Sequence, residues 1–207
     1  MKQVREAAVF DLDGTLLREN SSFSFCRFLC RKGVISYTDF FYCASLYSCY
    51  LLFHLSLAKL HVLIFNRLFQ GQSIAFLEKY VAPFIETLTW YEPALARLEE
   101  LRMEKLEIYL FSSSPIFLTQ PIGEKIGILK VQATSYTIDT EGSLSGIALL
   151  IDGEKKRSLL KNLAKDTIAF SDSHHDLPFL ESAQEAVAVN PNRHLAKIAR
   201  ARDWEIL

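Results

Sequence analysis

Apolar and polar positions along this chain fall into short blocks whose period changes from strand-like to helix-like. Residues Val4 to Phe10 read as a short buried strand that stops at the acidic, glycine-containing turn Asp11-Leu12-Asp13-Gly14-Thr15. From Ser21 to about Tyr91 no second strand of this kind occurs, and the pattern is long, mostly apolar and helical, with breaks near Gly33, Gly71 and Pro83. Glu92-Pro93 then opens an amphipathic helix with Leu95, Leu98 and Leu101 as its apolar stripe. Leu106 to Phe111 reads as a second buried strand ending at Ser112-Ser113-Ser114-Pro115, and a helix follows from about Ile116 to Ile126. Val131 to Ile138, a turn at Asp139 to Gly142 and a return strand to about Leu150 predict a hairpin. The remainder alternates: helix Lys155 to Ala164, strand Thr167 to Phe170, helix Leu177 to Ala183, strand Ala186 to Val189, and helix Leu195 to Arg202.

Strands separated by helices predict an α/β fold, a Rossmann-like and mainly parallel sheet with helices on both faces. The helical stretch after the first strand is an insert. In such sheets ligands bind beyond the carboxyl ends of the strands, which directs attention to Asp11 and Asp13, Ser112, and Asp172.

The composition narrows the function. The chain has 207 residues, room for one core domain with an insert, and Lys+Arg against Asp+Glu leaves a net charge of −1, so no basic footprint for nucleic acid exists. Half the residues are apolar, which excludes a disordered chain. Cys26, Cys30, Cys43 and Cys49 lack zinc-ligand spacing and are expected as buried, reduced thiols of a cytoplasmic protein. The apolar run Ala7 to Phe10 is too short for a signal peptide.

Two aspartates spaced i, i+2 at a strand end can serve the same region of space, one as nucleophile and the other as its acid/base partner. Asp172 and Asp176 add two carboxylates after another strand, and hard oxygen ligands of this kind suit Mg²⁺. Asp11-Leu12-Asp13-Gly14-Thr15, then Ser112, then Lys156, then Asp172 with Asp176, resemble in order and spacing the four motifs of the haloacid dehalogenase superfamily. Ser-Ser-Ser-Pro, Ser-Asp-x-x-x-Asp-Leu-Pro and Ala186 to Pro191 resemble its subfamily IB, the phosphoserine phosphatase-like branch.

The resemblance implies a phosphatase that works through an aspartyl-phosphate. Asp11 would be the nucleophile and Asp13 the acid/base; Lys156 and Ser112 would hold phosphoryl oxygens, helped by Ser113, Gly14 and Thr15. Mg²⁺ would be bound by Asp11, Asp13 through its backbone carbonyl, and Asp172, with Asp176 and His175 behind them. Lys155 stands beside Lys156 as a substitute. A phosphotransferase would use the same aspartate pair.

The resemblance also makes residues 19–90 a helical cap over a core formed by 1–18 and 91–207. The phosphoserine phosphatases are expected to carry a Glu nine positions after the nucleophile. Here that position is Asn20, taken as a substrate-binding candidate, and Glu19 falls one residue early, which counts against phosphoserine. Of the 15 Phe and 8 Tyr, most crowd between Phe23 and Tyr91. Phe40 to Ala58 is uncharged over 19 residues, close to the ~20 a bilayer span needs, but its tyrosines and serines favour a buried or membrane-docking helix over a span. Core packing of the aromatics is the simplest reading, and Arg27, Arg31 and Lys32 would supply a basic flank for docking. Similar apolar caps occur in bacterial phosphatases of this branch that act on phosphatidylglycerophosphate. The expected partner is therefore a phosphorylated small molecule or lipid, met in the cytoplasm or peripherally at the inner face of a membrane; the alternative class is a lipid-binding module.

Overall fold

The computed structural model describes residues 5–53, 55–163 and 166–207. The first strand, β1 (Ala7–Phe10), is buried along its whole length. Five helices follow among the described residues: α1 (Ser21–Arg31), α2 (Tyr37–Phe53), α3 (Leu57–Ile64), α4 (Ile74–Glu78) and α5 (Val81–Ile85), with a wide helical turn at Phe65–Phe69 after α3. The chain then runs α6 (Glu92–Met103), β2 (Glu107–Pro115), α7 (Ile116–Lys125), β3 (Lys130–Ile138) and β4 (Leu144–Leu149). It closes with α8 (Gly153–Asn162), β5 (Thr167–Ser171), a 3₁₀ turn at His174–Asp176, α9 (Leu177–Leu180), β6 (Glu185–Ala188), α10 (Arg193–Ala201) and β7 (Glu205–Ile206).

The seven strands form one sheet in the order β4-β3-β2-β1-β5-β6-β7, parallel except for β4 against β3. Alternate residues of each strand feed two separate cores. Ala8, Phe10, Leu110 and Phe170 face a cluster shared with α6, α7 and the insert, whereas Val9, Phe111 and Ala169 face one shared with α8, α9 and α10. Helices therefore cover both faces, as the alternation predicts. Phe10 and Phe170 stack at 4.1 Å between ring centroids, locking the central strand pair.

The insert leaves and returns through one short ladder: Arg18 N–H donates to the Thr89 carbonyl and Tyr91 N–H to the Leu16 carbonyl, both at 2.9 Å. Its apolar contacts continue those of the sheet, with Phe25 against both Phe84 and Phe117.

Several boundaries differ from expectation. The uncharged window is two helices, because Ser56 accepts the Lys59 N–H and starts α3 afresh; no helix among the described residues is long and apolar enough to cross a membrane. Pro83 lies inside α5, in its first turn where its missing N–H costs nothing. In α6 the buried stripe is Ala94, Leu98 and Leu101, with Leu95 half-buried. β2 extends through Pro115 by way of a register shift, and β7 is an unforeseen edge strand of two residues. Val4, the expected start of the first strand, and Ala164, the expected end of a helix, lie outside the described residues. The four thiols are free, three buried and Cys49 half-buried; burial pushes the Cys26 thiol far above its ordinary value, which keeps it unreactive.

Phe10→Ala would remove a fully buried ring between two layers. It is expected to lower stability by about 3–5 kcal/mol, read from the midpoint of urea denaturation.

Candidate active site

Parallel pairing puts Phe10 beside Leu110 and Phe170, so Asp11, the Ser112 to Ser114 segment and Asp172 emerge at the carboxyl ends of three adjacent strands. The strand order runs outward from β1 to one side through β2 and β3 and to the other through β5 and β6, which makes this edge the topological switch point of the sheet. After Asp11 the backbone turns sharply, with the Leu12 carbonyl accepting the N–H groups of Leu16 and Leu17 at 3.0 Å. Gly14 has φ +79°, and a Cβ there would collide with the Asp172 carboxylate. Glycine is thus needed twice, for its conformation and for the space it leaves.

Asp11 is buried and its Oδ1 lies 2.6 Å from Lys156 Nζ, which also reaches Asp176 Oδ2 at 2.7 Å. Ser171 donates its hydroxyl to the same Asp176 oxygen at 2.8 Å. Lys156 comes from the first turn of α8. Gly153 allows that turn to approach the His175 carbonyl, where a Cβ would clash. Lys155 is only half-buried, and Lys156 is the lysine placed against Asp11 and Asp176.

Asp13 is held differently. Its Oδ1 accepts the Ser21 N–H at the start of α1, and its Oδ2 accepts the Ser114 hydroxyl, each at 2.6 Å. Ser114 in turn meets the hydroxyls of Ser21 at 3.0 Å and Ser22 at 2.7 Å. Burial raises the Asp13 pKa, and these hydrogen bonds oppose it.

Burial likewise raises Asp11 well above the carboxylate range, opposed by Lys156 and reinforced by Asp176 and Asp172. Asp172 is pushed up to about 7, first by burial and then by Asp176. For Lys156 burial works downward, but Asp11 and Asp176 outweigh it and the ammonium is held charged.

Around these groups lies a cavity of about 550 Å³. Asp11, Asp13, Gly14, Ser113 and Lys156 line it, as do Asp172, His175 and Asp176. Two expected contacts belong behind the wall. Thr15 is fully buried, donating to Asp11 Oδ2 at 3.3 Å and accepting the Asp172 N–H at 3.0 Å, so it braces the carboxylates and does not reach a substrate. Ser112 is also fully buried, its hydroxyl accepting the Ser114 N–H at 3.0 Å. Asn20 lines the cavity, but its Oδ1 caps α1 through the Phe23 N–H at 2.8 Å. Glu19 is spent on Ser24, Arg27 and the Thr89 N–H. Ser114, Ser21 and Ser22 are the members that sequence reasoning missed; the three-serine run marked the place without saying which hydroxyl faces Asp13.

The α2–α3 side of the cavity is largely apolar. Cys43, Tyr47, Tyr50 and Leu51 line it at i, i+4, i+7 and i+8 of α2, opposite Leu60 and His61 of α3. Burial lowers the His61 pKa to about 4, leaving a neutral imidazole in that wall. Tyr50 packs on His175 at 5.4 Å, joining the insert to the core across the cavity.

Among the described residues no three acidic, imidazole or thiol groups close into a ligand cluster. A hard divalent cation needs only one or two carboxylates plus carbonyls and waters; Asp11 and Asp172 both line the cavity, and the Asp172 carboxylate occupies the space that Gly14 leaves open. The excess of carboxylates over the single ammonium is the charge pattern such a cation satisfies.

The pH dependence follows. Asp172 titrates near 7 in the fold and in the ordinary carboxylate range when unfolded, so without cation it contributes stability below pH about 4 that is lost as pH rises through about 7. In EDTA, wild-type protein is expected to lose urea resistance between pH about 5 and about 8 relative to Asp172→Asn, and MgCl₂ should cancel that loss.

Comparison with known proteins agrees with this geometry. Residues 8–181 match the family model of the haloacid dehalogenase-like hydrolases. A histidinol-phosphatase of Neisseria meningitidis is 25% identical over 99% of both chains. A phosphoserine phosphatase of Mycobacterium tuberculosis is 27% identical over 97% of this chain and 70% of its own length. A Bordetella pertussis protein of unknown function has the same fold, with a TM-score of 0.88 at 23% identity and 99% coverage of both chains. The matched segment takes in all four groups of site residues, and the chain belongs to the haloacid dehalogenase-like hydrolase family.

Proposed function

We propose that this hydrolase is a Mg²⁺-dependent phosphomonoesterase that forms an aspartyl-phosphate, an acyl phosphate, on Asp11. The observation that carries the reading is the pairing of two differently held carboxyls: Asp11 against Lys156, and Asp13, two residues on, against Ser114 and Ser21. Such a split supports a division into nucleophile and acid/base partner.

Asp11 attacks phosphorus while the bond to the leaving oxygen breaks, and Asp13 gives that oxygen its proton. Water then attacks the same phosphorus, Asp13 takes its proton back, and the bond to Asp11 breaks to release inorganic phosphate. Lys156 steadies the phosphoryl oxygens, aided by the Ser113 backbone. Mg²⁺ bound by Asp11, Asp172 and the Asp13 carbonyl would offset the repulsion between anionic nucleophile and anionic ester. Asp176 fixes Lys156 from behind.

The substrate reading comes from the remaining wall. Relatives named for histidinol phosphate and phosphoserine act on amino-bearing esters. In this chain the carboxylate nearest the expected amino-binding position, Glu19, is already engaged, and α2 and α3 present apolar groups and a neutral imidazole. An ester with an uncharged, apolar alcohol, small or lipid-linked, fits that wall.

The protein is expected to release phosphate from p-nitrophenyl phosphate, with EDTA or Asp11→Asn abolishing turnover and Asp13→Asn lowering kcat by about 10²–10⁴. Undiminished turnover by Asp11→Asn would exclude it as the nucleophile. Across a series of n-alkyl phosphates, kcat/KM should rise about three- to fourfold for each methylene, with phosphoserine a poor substrate. A flat series under the same assay would refute the apolar wall as a specificity element.

A further inference from the structure

The far end of α2 is apolar and uncovered. Leu51, Leu52 and Phe53 are 60%, 69% and 74% exposed, and Val62 of α3 joins them on the surface. Of the 17 residues in α2, only Cys43 is buried, so this helix lies with one face on the cavity and another open. Tyr37, Phe41 and Tyr42 continue the exposed apolar surface along its first half. A monomer gains nothing by displaying three consecutive large apolar side chains at a helix end; such patches mark a contact with something apolar.

Two further observations say what that something is. Between Asp39 and Glu78 the chain contains no acidic residue, and Asp39 itself is paired to Arg67 at 2.6 Å, so the exposed end of the insert carries no unpaired negative charge and offers Lys59 to the outside. A protein partner of ordinary composition leaves some mark of polar complementarity at the rim, whereas a lipid surface asks only for apolar insertion beside neutral or basic groups. Leu51 is also part of the cavity wall. The exposed tip is therefore continuous with the apolar arm of the cavity that ends at Asp11 and Lys156.

We infer that the α2–α3 elbow is a membrane-docking surface: Leu52, Phe53 and Val62 insert into the apolar layer beneath lipid headgroups, with the cavity mouth at Leu51 turned toward the same layer. The elbow lies on the surface without crossing the bilayer, since α2 ends at Phe53 and α3 restarts from the Ser56 cap. This goes beyond the phosphatase reading, because it rests on the surface and the mouth and not on the chemistry of Asp11.

The test is co-sedimentation of the full-length protein with vesicles of phosphatidylcholine, with and without phosphatidylglycerol, alongside p-nitrophenyl phosphate turnover in free solution. Wild type is expected to sediment with both vesicles, more strongly with the anionic ones. The double variant Leu52→Glu, Phe53→Glu should lose about a hundredfold in partitioning, and Val62→Glu part of that, with turnover in solution unchanged, since none of these side chains lines the cavity. Absence of wild-type binding overturns the inference, and so does equal binding by the double variant. A wild-type dimer by light scattering that the double variant converts to monomer overturns it too, for then the surface is a contact between copies of the chain.

Discussion

Lys156 places a single buried ammonium 2.6 Å from Asp11 and 2.7 Å from Asp176, and the arrangement of the strand ends depends on how that charge is shared. A buried ammonium without partners would shed its proton; two carboxylates keep it charged and in place. The sharing also differentiates the acids. Asp11 keeps one oxygen on Lys156 and one on the Thr15 hydroxyl, Asp176 is committed inward with Ser171, and Asp172 lies outside the Lys156 hydrogen bonds. Three chemically identical side chains acquire three roles from their distance to one nitrogen.

That nitrogen is positioned by backbone more than by side chains. The parallel register of β1 and β5 aligns Phe10 with Phe170, so Asp11 and Asp172 leave the sheet together. The absence of a Cβ at Gly14 lets the second reach the turn after the first, and the absence of one at Gly153 lets α8 settle against the His175 carbonyl and deliver Lys156. The main chain thus brings the carboxylates close together, and their pKa values are raised first by burial and then by that closeness.

Much of this was legible in the sequence, for physical reasons that differ by residue. A buried parallel strand is a short apolar run, so the acids that follow it announce themselves, and Asp11, Asp13, Asp172 and Asp176 were found that way. Lys156 was separated from Lys155 by the resemblance of Gly153-x-x-Lys156, at the start of a helix, to the family's lysine motif. Hydroxyl groups were not separable: Ser112 and Ser114 look alike on paper, and what distinguishes them is an Asp13 carboxylate 101 residues earlier. Thr15 was misplaced for the same cause, a small polar group whose partners come from two strands. The break at Ser56 hid inside an uncharged window because apolar content hides a serine that caps a helix. β7 escaped because two residues carry no period.

The ladder at the root of the insert has an entropic consequence. Once Arg18 pairs with Thr89 and Leu16 with Tyr91, the ends of a loop of about 70 residues are fixed side by side whatever lies between them. The closure term grows only with the logarithm of loop length, about 0.6 kcal/mol per doubling, so the core folds almost indifferently to how long the intervening segment is. Length above the ladder is thus nearly a free variable, while the four residues of the ladder are not. The sheet can carry a short insert or a long one at similar entropic expense, and this chain carries the second.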